Sequence, residues 1–484
     1  MQTGQGARLL AVRCDAVAEL ASDALGDLVA HFDPDLVYVV RERADMRTVS
    51  RLKRASDCSV IHADGLRGIR TETVSGVSLA FVNSTALIAD AATRGSIPRD
   101  TDYVICDGLE PRIDAVTLAA SLDGLADVTR FQASTDGQTT FLTGAFEASY
   151  DHVWEATVEG EAVRLPVRGL APLRRSGHPE LACLTFDGVG NIAVTSAPAD
   201  RFGLQALSNV GSTTALRLKK AGYETREAVA EASEADLRAI HGIGESTART
   251  IRQSARALAE GCVVRQTDEP IPAATYSPLF VDIETDGLSP TIIWLVGVYD
   301  PARDEYVDFV DTAPSHDDPG KATREFVEWL AAEYDRPSLV TWNGHNFDFK
   351  HLNSFIAHHA PEFAEFWRES VFEYDLYDWA IRQGNAVLPG RTNRLEAVAA
   401  ALGLERGAQA ASLDGKSLAR AVGRALQSPD LASELDWEAA RAYCEADVRE
   451  LAAVYEAIAA ATPGRERADA PTDDSTTQTG LTDF

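Results

Sequence analysis

LFVDIETDG, residues 279–287, sets Leu279, Phe280, Val281 and Ile283 around two acids, Asp282 and Glu284. A short apolar run of this kind suits a buried strand. Successive side chains of a strand leave opposite faces, so Asp282 and Glu284 emerge from the same one. Taken alone, the pair also fits an acidic strand end on a solvated surface.

Two later stretches supply partners. SLVTWNGHNFDFKHL (338–352) reads as a strand running into a helix, with Asn343 and Gly344 at the turn and Asp348 near the helix start. AARAYCEADVRELAAVYEAIA (439–459) has helical periodicity. On it Tyr443 and Asp447 are four residues apart and share one face. The order is Asp-x-Glu on a strand, Asn-Gly-x-x-Phe-Asp at a strand-to-helix turn, then Tyr-x-x-x-Asp on a helix. Each piece is common, but the combination is specific.

That combination resembles the DEDD exonucleases of the ribonuclease H-like superfamily in their tyrosine form. It is similar to the proofreading domains of family B DNA polymerases and to the stand-alone YprB-like group. The resemblance covers about residues 279–460, and YDLYDWA…LPGRTNRLEAVAAALGLER (374–406) extends it between the second and third motifs. It implies that Asp282, Glu284, Asp348 and Asp447 hold two Mg²⁺ or Mn²⁺ ions and that Tyr443 orients the attacking water. Asn343 and Phe347 are the residues it places against the terminal nucleotide. Ala442 and Tyr443 stand where the histidine form carries its general base, which disfavours that form.

The chemistry agrees with these residue types. Four clustered carboxylates repel one another without cations. Hard oxygen ligands select Mg²⁺ or Mn²⁺. Two such ions activate water and stabilise a leaving 3′ oxygen in an in-line displacement. A tyrosine hydroxyl, with a pKa of about 10, is a poor base at neutral pH, so positioning is its better role. His345, His351, His358 and His359 read as surface or core histidines, and Trp294, Trp342 and Trp379 as core.

Upstream, LSNVGSTTALRLKKAGYET (207–225) and LRAIHGIGESTARTIRQSA (237–255) repeat one pattern: an apolar helix end, a tight turn, then a helix starting with small residues. The turns are Asn209-Val210-Gly211, followed by Thr213, and Gly242-Ile243-Gly244, followed by Ser246 and Thr247. The pair resembles a tandem helix-hairpin-helix domain, which implies contact with a DNA backbone. Glycine lets the backbone approach a ligand closely, and the following helix aims free N–H groups and its positive dipole end at a phosphate. Asn209 replaces the first glycine of its copy, and Asn also tolerates the left-handed region. A helical spacer between two domains is the alternative.

The expected fold class is therefore α/β and multidomain. Residues 1–200 are an unassigned region, α/β at first and β-rich from about residue 137. RLLAVRC, DLVYVV, CSVIHA and TDYVICD read as strands there, and RIDAVTLAASL as a helix. Asp107 and Gly108 follow a strand end, the usual place for ligands in α/β folds, although a plain turn accounts for them as well. Residues 204–261 form the central all-α module and 262–278 a proline-containing linker. Residues 279–460 form a mixed sheet with helices, and 461–484 a disordered tail. In that tail Gln478, Leu481 and Phe484 resemble the sliding-clamp (PCNA) interaction motif. Leu481 and Phe484 would fall on one side of a helical turn.

The 484 residues carry 74 acidic and 45 basic side chains, a formal net charge of −29. Such acidity ordinarily repels nucleic acid. Only six of the basic residues are Lys, however, and an acidic, Lys-poor, Arg-retaining surface resembles proteins of cells holding molar salt. At 1 M salt the screening length is about 3 Å, so net charge does not exclude a DNA partner. No apolar run reaches the ~20 residues of a membrane span. The N-terminus lacks a signal-peptide pattern, so a cytoplasmic location is expected. The six cysteines form no CxxC pair, which points to free thiols rather than a zinc site or disulfides. A metal-dependent 3′→5′ exonuclease acting on DNA, in repair or replication, is the leading expectation. An RNA 3′-exonuclease of the same fold and a non-catalytic DNA-binding scaffold are its alternatives.

Overall fold

A computed structural model describes residues 6–461 except 19, 42–44, 114–119, 136, 159, 173, 176–177, 187–191, 275–276, 412, 414, 429–431 and 433–434. The terminal clamp-like motif, Gln478, Leu481 and Phe484, lies outside the described residues, as does the tail from 462.

The N-terminal region holds two six-stranded sheets rather than one α/β layer. In the first, Ala7–Val12, Leu36–Val39 and Ser59–His62 run parallel, with helices Ser22–Phe32 and Met46–Ala55 as crossovers. His178–Phe186 closes it antiparallel to Ala7–Val12. The second centres on Val77–Val82, Tyr103–Ile105 and Thr140–Glu147. Alternation along the strands builds the layers. Leu9, Tyr38, Phe81, Tyr103, Ile105 and Leu184 pack between the sheets. Leu10, Val12, Val37 and Val39 meet the helices outside the first sheet. Val82, Val104 and Phe141 meet those outside the second.

Asp107 is a strand-end tie. Its carboxylate accepts N–H bonds from Arg41 of the first sheet's side and Gly144 of the second, each at 2.7 Å. Where RIDAVTLAASL is described, its ends are strands rather than the expected helix: Glu110–Ile113 pairs with Ala120–Asp123 as an antiparallel ribbon, and 114–119 lie outside the described residues. Its i, i+3 apolar spacing is helical, but cross-strand pairing prevails over that local signal.

The C-terminal sheet has five strands in the order Glu305–Val310, Ile293–Asp300, Pro278–Thr285, Ser338–Thr341, Phe372–Asp375. The first three run antiparallel to one another; the last two continue from Pro278–Thr285 in parallel. Leu279, Val281 and Ile283 face helices Lys321–Glu333 and Asp348–His359. Phe280 faces the opposite layer, built largely on helix Trp437–Ala460.

Between the domains, the segment 262–278 is strapped to the C-terminal domain. Val264–Arg265 pairs with Ala386–Val387, and the Tyr455 hydroxyl donates to the Pro272 carbonyl at 2.7 Å. No helix among the described residues is long and apolar enough to cross a membrane.

Candidate active site

Because Asp282 and Glu284 share the parity of Phe280, they point toward helix Trp437–Ala460. Tyr443, Cys444 and Asp447 of that helix are buried on the side that meets the sheet. Asp348 arrives from the adjoining parallel strand: Ser338–Thr341 ends, the chain turns, and Asp348 opens the next helix. Asn343 takes a positive φ of 67° in that turn. A Cβ on Gly344 would lie 1.9 Å from the Thr341 hydroxyl, so the turn admits only glycine there. The backbone N–H groups of Asp348 itself and of Ile283, on the strand of the other two acids, favour the charged form of the Asp348 carboxyl.

Asp348 and Asp447 act on the Asp282–Glu284 pair. Burial, then Glu284, Asp447 and Asp348, push the Asp282 carboxyl well above the usual range. Burial, then Asp447 and Asp348, do the same to Glu284. Burial is also the main cause at Asp348 and Asp447, each pushed up to about 7. The cluster therefore resists full ionisation, which is the electrostatic condition a divalent cation relieves. Oxygen atoms of Asp282 and Glu284 and the Cys444 sulfur lie within 4.8 Å of one another. The carboxylate oxygens suit a hard divalent ion, and the sulfur does not. Burial, then the nearby acids, raise the Cys444 thiol, which donates to Asp282 Oδ2 at 3.7 Å. Burial and Asp447 push the Tyr443 phenol well above 10, so it stays protonated at neutral pH.

Four neighbours escaped the sequence reading. Arg406 lies in a loop with no periodic signal. Its Nε and Nη2 grip both oxygens of Glu450 at 2.7 Å, and Nη2 also bonds Asp447 Oδ1. Its guanidinium lies over the Tyr443 ring, 5.2 Å from the centroid. Glu450 was findable, since it continues the helical face of Tyr443 and Asp447. Glu396, on helix Leu395–Ala401, adds negative potential at Glu284, Tyr443 and Asp447. Leu288, four residues beyond Glu284 in sequence, is 88% exposed, an apolar side chain left in water.

Asn343 and Phe347 flank Asp348 but are engaged by the protein. Asn343 Oδ1 accepts from Arg382 at 2.9 Å and its N–H goes to Asp375. Phe347 packs on the helical layer and against His351. His345 and His358 are exposed and His351 and His359 half-buried. Trp294 and Trp379 are core, whereas Trp342 is half-buried and donates its indole N–H to the Asn393 carbonyl. All six cysteines are free thiols.

The central module has helices Ser212–Lys220, Arg226–Glu231, Glu234–Arg238 and Glu245–Glu260 around Val210, Leu218, Ile243 and Ile251. Asn209 (φ 64°) and Gly242 (φ 86°) occupy matching left-handed positions in the two turns. Gly211 and Gly244 are the N-caps of the first and last helices, and neither helix start has a side-chain cap. Gly211, Thr213, Gly242, Gly244 and Ser246 are exposed and Thr247 half-buried, so both starts present their N–H groups outward.

The mixed sheet, its carboxylates and the helix across them define a ribonuclease H-like domain. Residues 279–459 match the family described as RNase_H superfamily, and 203–257 match the SAM-like helix-hairpin-helix tandem. The chain thus carries one domain of each kind. A DNA repair and recombination protein RadA from Methanoculleus marisnigri is 46% identical over 57 residues, 12% of this chain and 18% of that protein. The match therefore spans under a fifth of that relative. Among solved structures, Escherichia coli exonuclease I with a dA16 oligonucleotide is 19% identical, over 32% of this chain and 42% of that one, with a TM-score of 0.22. Vps29 of Chaetomium thermophilum, in complex with a cyclic peptide, is 13% identical over 40% of this chain and 98% of that one, with a TM-score of 0.17. TM-scores this low leave the fold to the family matches and the strand order.

Proposed function

We propose that the protein is a metal-dependent 3′→5′ exonuclease that hydrolyses DNA phosphodiester bonds and serves repair or replication. One observation carries this reading: Asp282 and Glu284 lie largely buried within the field of Asp348 and Asp447, acids up to 165 residues away in sequence, and beside the Tyr443 phenol. These four acids would hold two divalent ions, Mg²⁺ or Mn²⁺. When bound, such ions supply the Lewis acid for water and for the leaving 3′ oxygen.

The remaining roles belong to the chain. Tyr443 keeps its proton and orients the attacking water through its hydroxyl. Leu288, exposed just past the Asp282–Glu284 strand, offers an apolar face to the terminal base. The two hairpin turns hold phosphates further along the strand through the N–H groups of Gly211, Thr213, Gly244, Ser246 and Thr247. Such contacts position the strand without reading its sequence. DNA is preferred over RNA because this second module accompanies the nuclease fold. The tail residues Gln478, Leu481 and Phe484 are read as a sliding-clamp tether on sequence alone.

The deciding assay uses end-labelled DNA and RNA strands with Mg²⁺ or Mn²⁺ in high salt. Stepwise release of nucleotides from the 3′ end of DNA is expected, and Asp282→Ala should abolish it while leaving DNA binding intact. Unchanged digestion by that variant would end the assignment, and faster digestion of RNA would transfer it to the RNA alternative.

A further inference from the structure

We propose that Arg406 is a positioning residue that competes with a divalent ion for Asp447. The inference rests on the nuclease reading and adds a built-in cation to it.

The geometry gives Arg406 two different partners. Glu450 is buried, and both its oxygens are taken by the Arg406 fork at 2.7 Å. Glu450 is therefore the anchor. The same Nη2 then reaches Asp447 Oδ1, an oxygen of the proposed ligand set. A guanidinium N–H takes one of the lone pairs on Oδ1 and sets a positive charge against the oxygen that a metal ion would share. The Arg406 side chain is only 15% exposed, so water screens this contact little. Burial opposes the charge of Arg406, but Glu450 and Asp447 more than offset it, so the cation is firmly held. Stacking over the Tyr443 ring lets the same group fix the phenol.

The loop allows movement. Arg406 lies between helices Leu395–Ala401 and Ala408–Ala411, flanked by Gly403 in the left-handed region and by Gly407. An incoming ion can displace Nη2 from Asp447 while Glu450 retains the rest of the fork. Arg406 would thus keep Asp447 and Tyr443 aligned before the ion arrives and raise the ion concentration needed to fill the site.

The test is Mn²⁺ titration of the full-length protein, with free Mn²⁺ followed by electron paramagnetic resonance. Arg406→Met should bind Mn²⁺ about tenfold more tightly, ~1.4 kcal/mol, while Arg406→Lys, which keeps the charge, stays near the parent. At saturating Mn²⁺, kcat of Arg406→Met should fall severalfold because Tyr443 and Asp447 lose their alignment. Glu450→Gln is the second variant and covers a failure of Arg406→Met to fold. It removes the anchor's charge, Arg406 leans on Asp447, and Mn²⁺ binding should weaken. Unchanged or weaker binding in Arg406→Met, or tighter or unchanged binding in Glu450→Gln, overturns the proposal. If the parent binds Mn²⁺ and Asp282→Ala does not, such a result sinks only the role of Arg406. If the parent binds none, the nuclease reading falls first.

Discussion

Asp27 and Arg391, 364 residues apart, form a two-pronged ion pair, with Nη2 at 2.5 Å and Nη1 at 2.8 Å from the carboxylate oxygens. Asp27 belongs to the N-terminal region and Arg391 to the ribonuclease H-like domain. The same carboxylate takes Arg226 of the hairpin module at 2.7 Å and the Gly203 N–H at 2.8 Å. Arg391 also lies over Phe202, and Lys219 reaches Asp23 at 2.9 Å. One acid thus joins three domains, and Arg391 is five residues from Glu396, which faces the acid cluster.

Asp27→Ala should leave two largely buried guanidinium groups without their shared partner. Breaking a buried pair from one side costs about 3–5 kcal/mol. A lower Tm and faster proteolysis near residues 203–211 are expected. Cleavage of short strands should survive, while the advantage of longer strands reaching the hairpin module should shrink. An unchanged Tm would show that the junction is not a structural tie.

Tyr443→Phe should lower kcat by about two orders of magnitude, the scale on which misplaced reacting groups lose rate. Mn²⁺ affinity should be unchanged, because the phenol orients water rather than holding the ion. Since the phenol keeps its proton well past neutrality, the parent should show no pH–rate limb that the variant lacks below pH 9. Appearance of such a limb would make Tyr443 a base.

Metal-free protein should lose stability as pH rises from about 4 to about 7. Asp348 and Asp447 titrate at about 7 in the fold, against about 4 in an unfolded chain. Across that window the native state holds protons the unfolded chain has released, so rising pH favours unfolding. Asp27 acts in the opposite sense. Burial opposes its charge, yet Arg391, Gly203 and Arg226 lower its pKa, so its contribution is lost as pH falls through that depressed value. Mn²⁺ needs the deprotonated cluster and should raise Tm far more at pH 8 than at pH 5. Melts with and without Mn²⁺ at both pH values check this; a larger rise at pH 5 would contradict it.

Gly211→Asp with Gly244→Asp should separate folding from binding. Both glycines are uncapped N-caps with extended φ and ψ, where Asp is favoured. Tm should hold or rise slightly, by a few tenths of a kcal/mol per helix. DNA affinity should fall about tenfold, because a carboxylate then occupies the place of a phosphate. Equal DNA affinity would return the module to the role of spacer.

Local patterns carried much of this in the sequence alone. Strand parity put Asp282 and Glu284 on one face, helical spacing paired Tyr443 with Asp447, and the tolerance of Asn for positive φ fitted Asn209 to its turn. Each depends only on residues a few positions apart. Tertiary structure decided the rest. The N-terminal pair of sheets requires Ala7–Val12 to find His178–Phe186 across the whole region, and no short window encodes that pairing. Arg406 looks like any of the chain's other arginines until folding delivers it to Glu450 and Asp447. Asp27 likewise becomes a junction only when two distant guanidinium groups reach it. Periodicity is a property of the chain, whereas the company a charge keeps is a property of the fold.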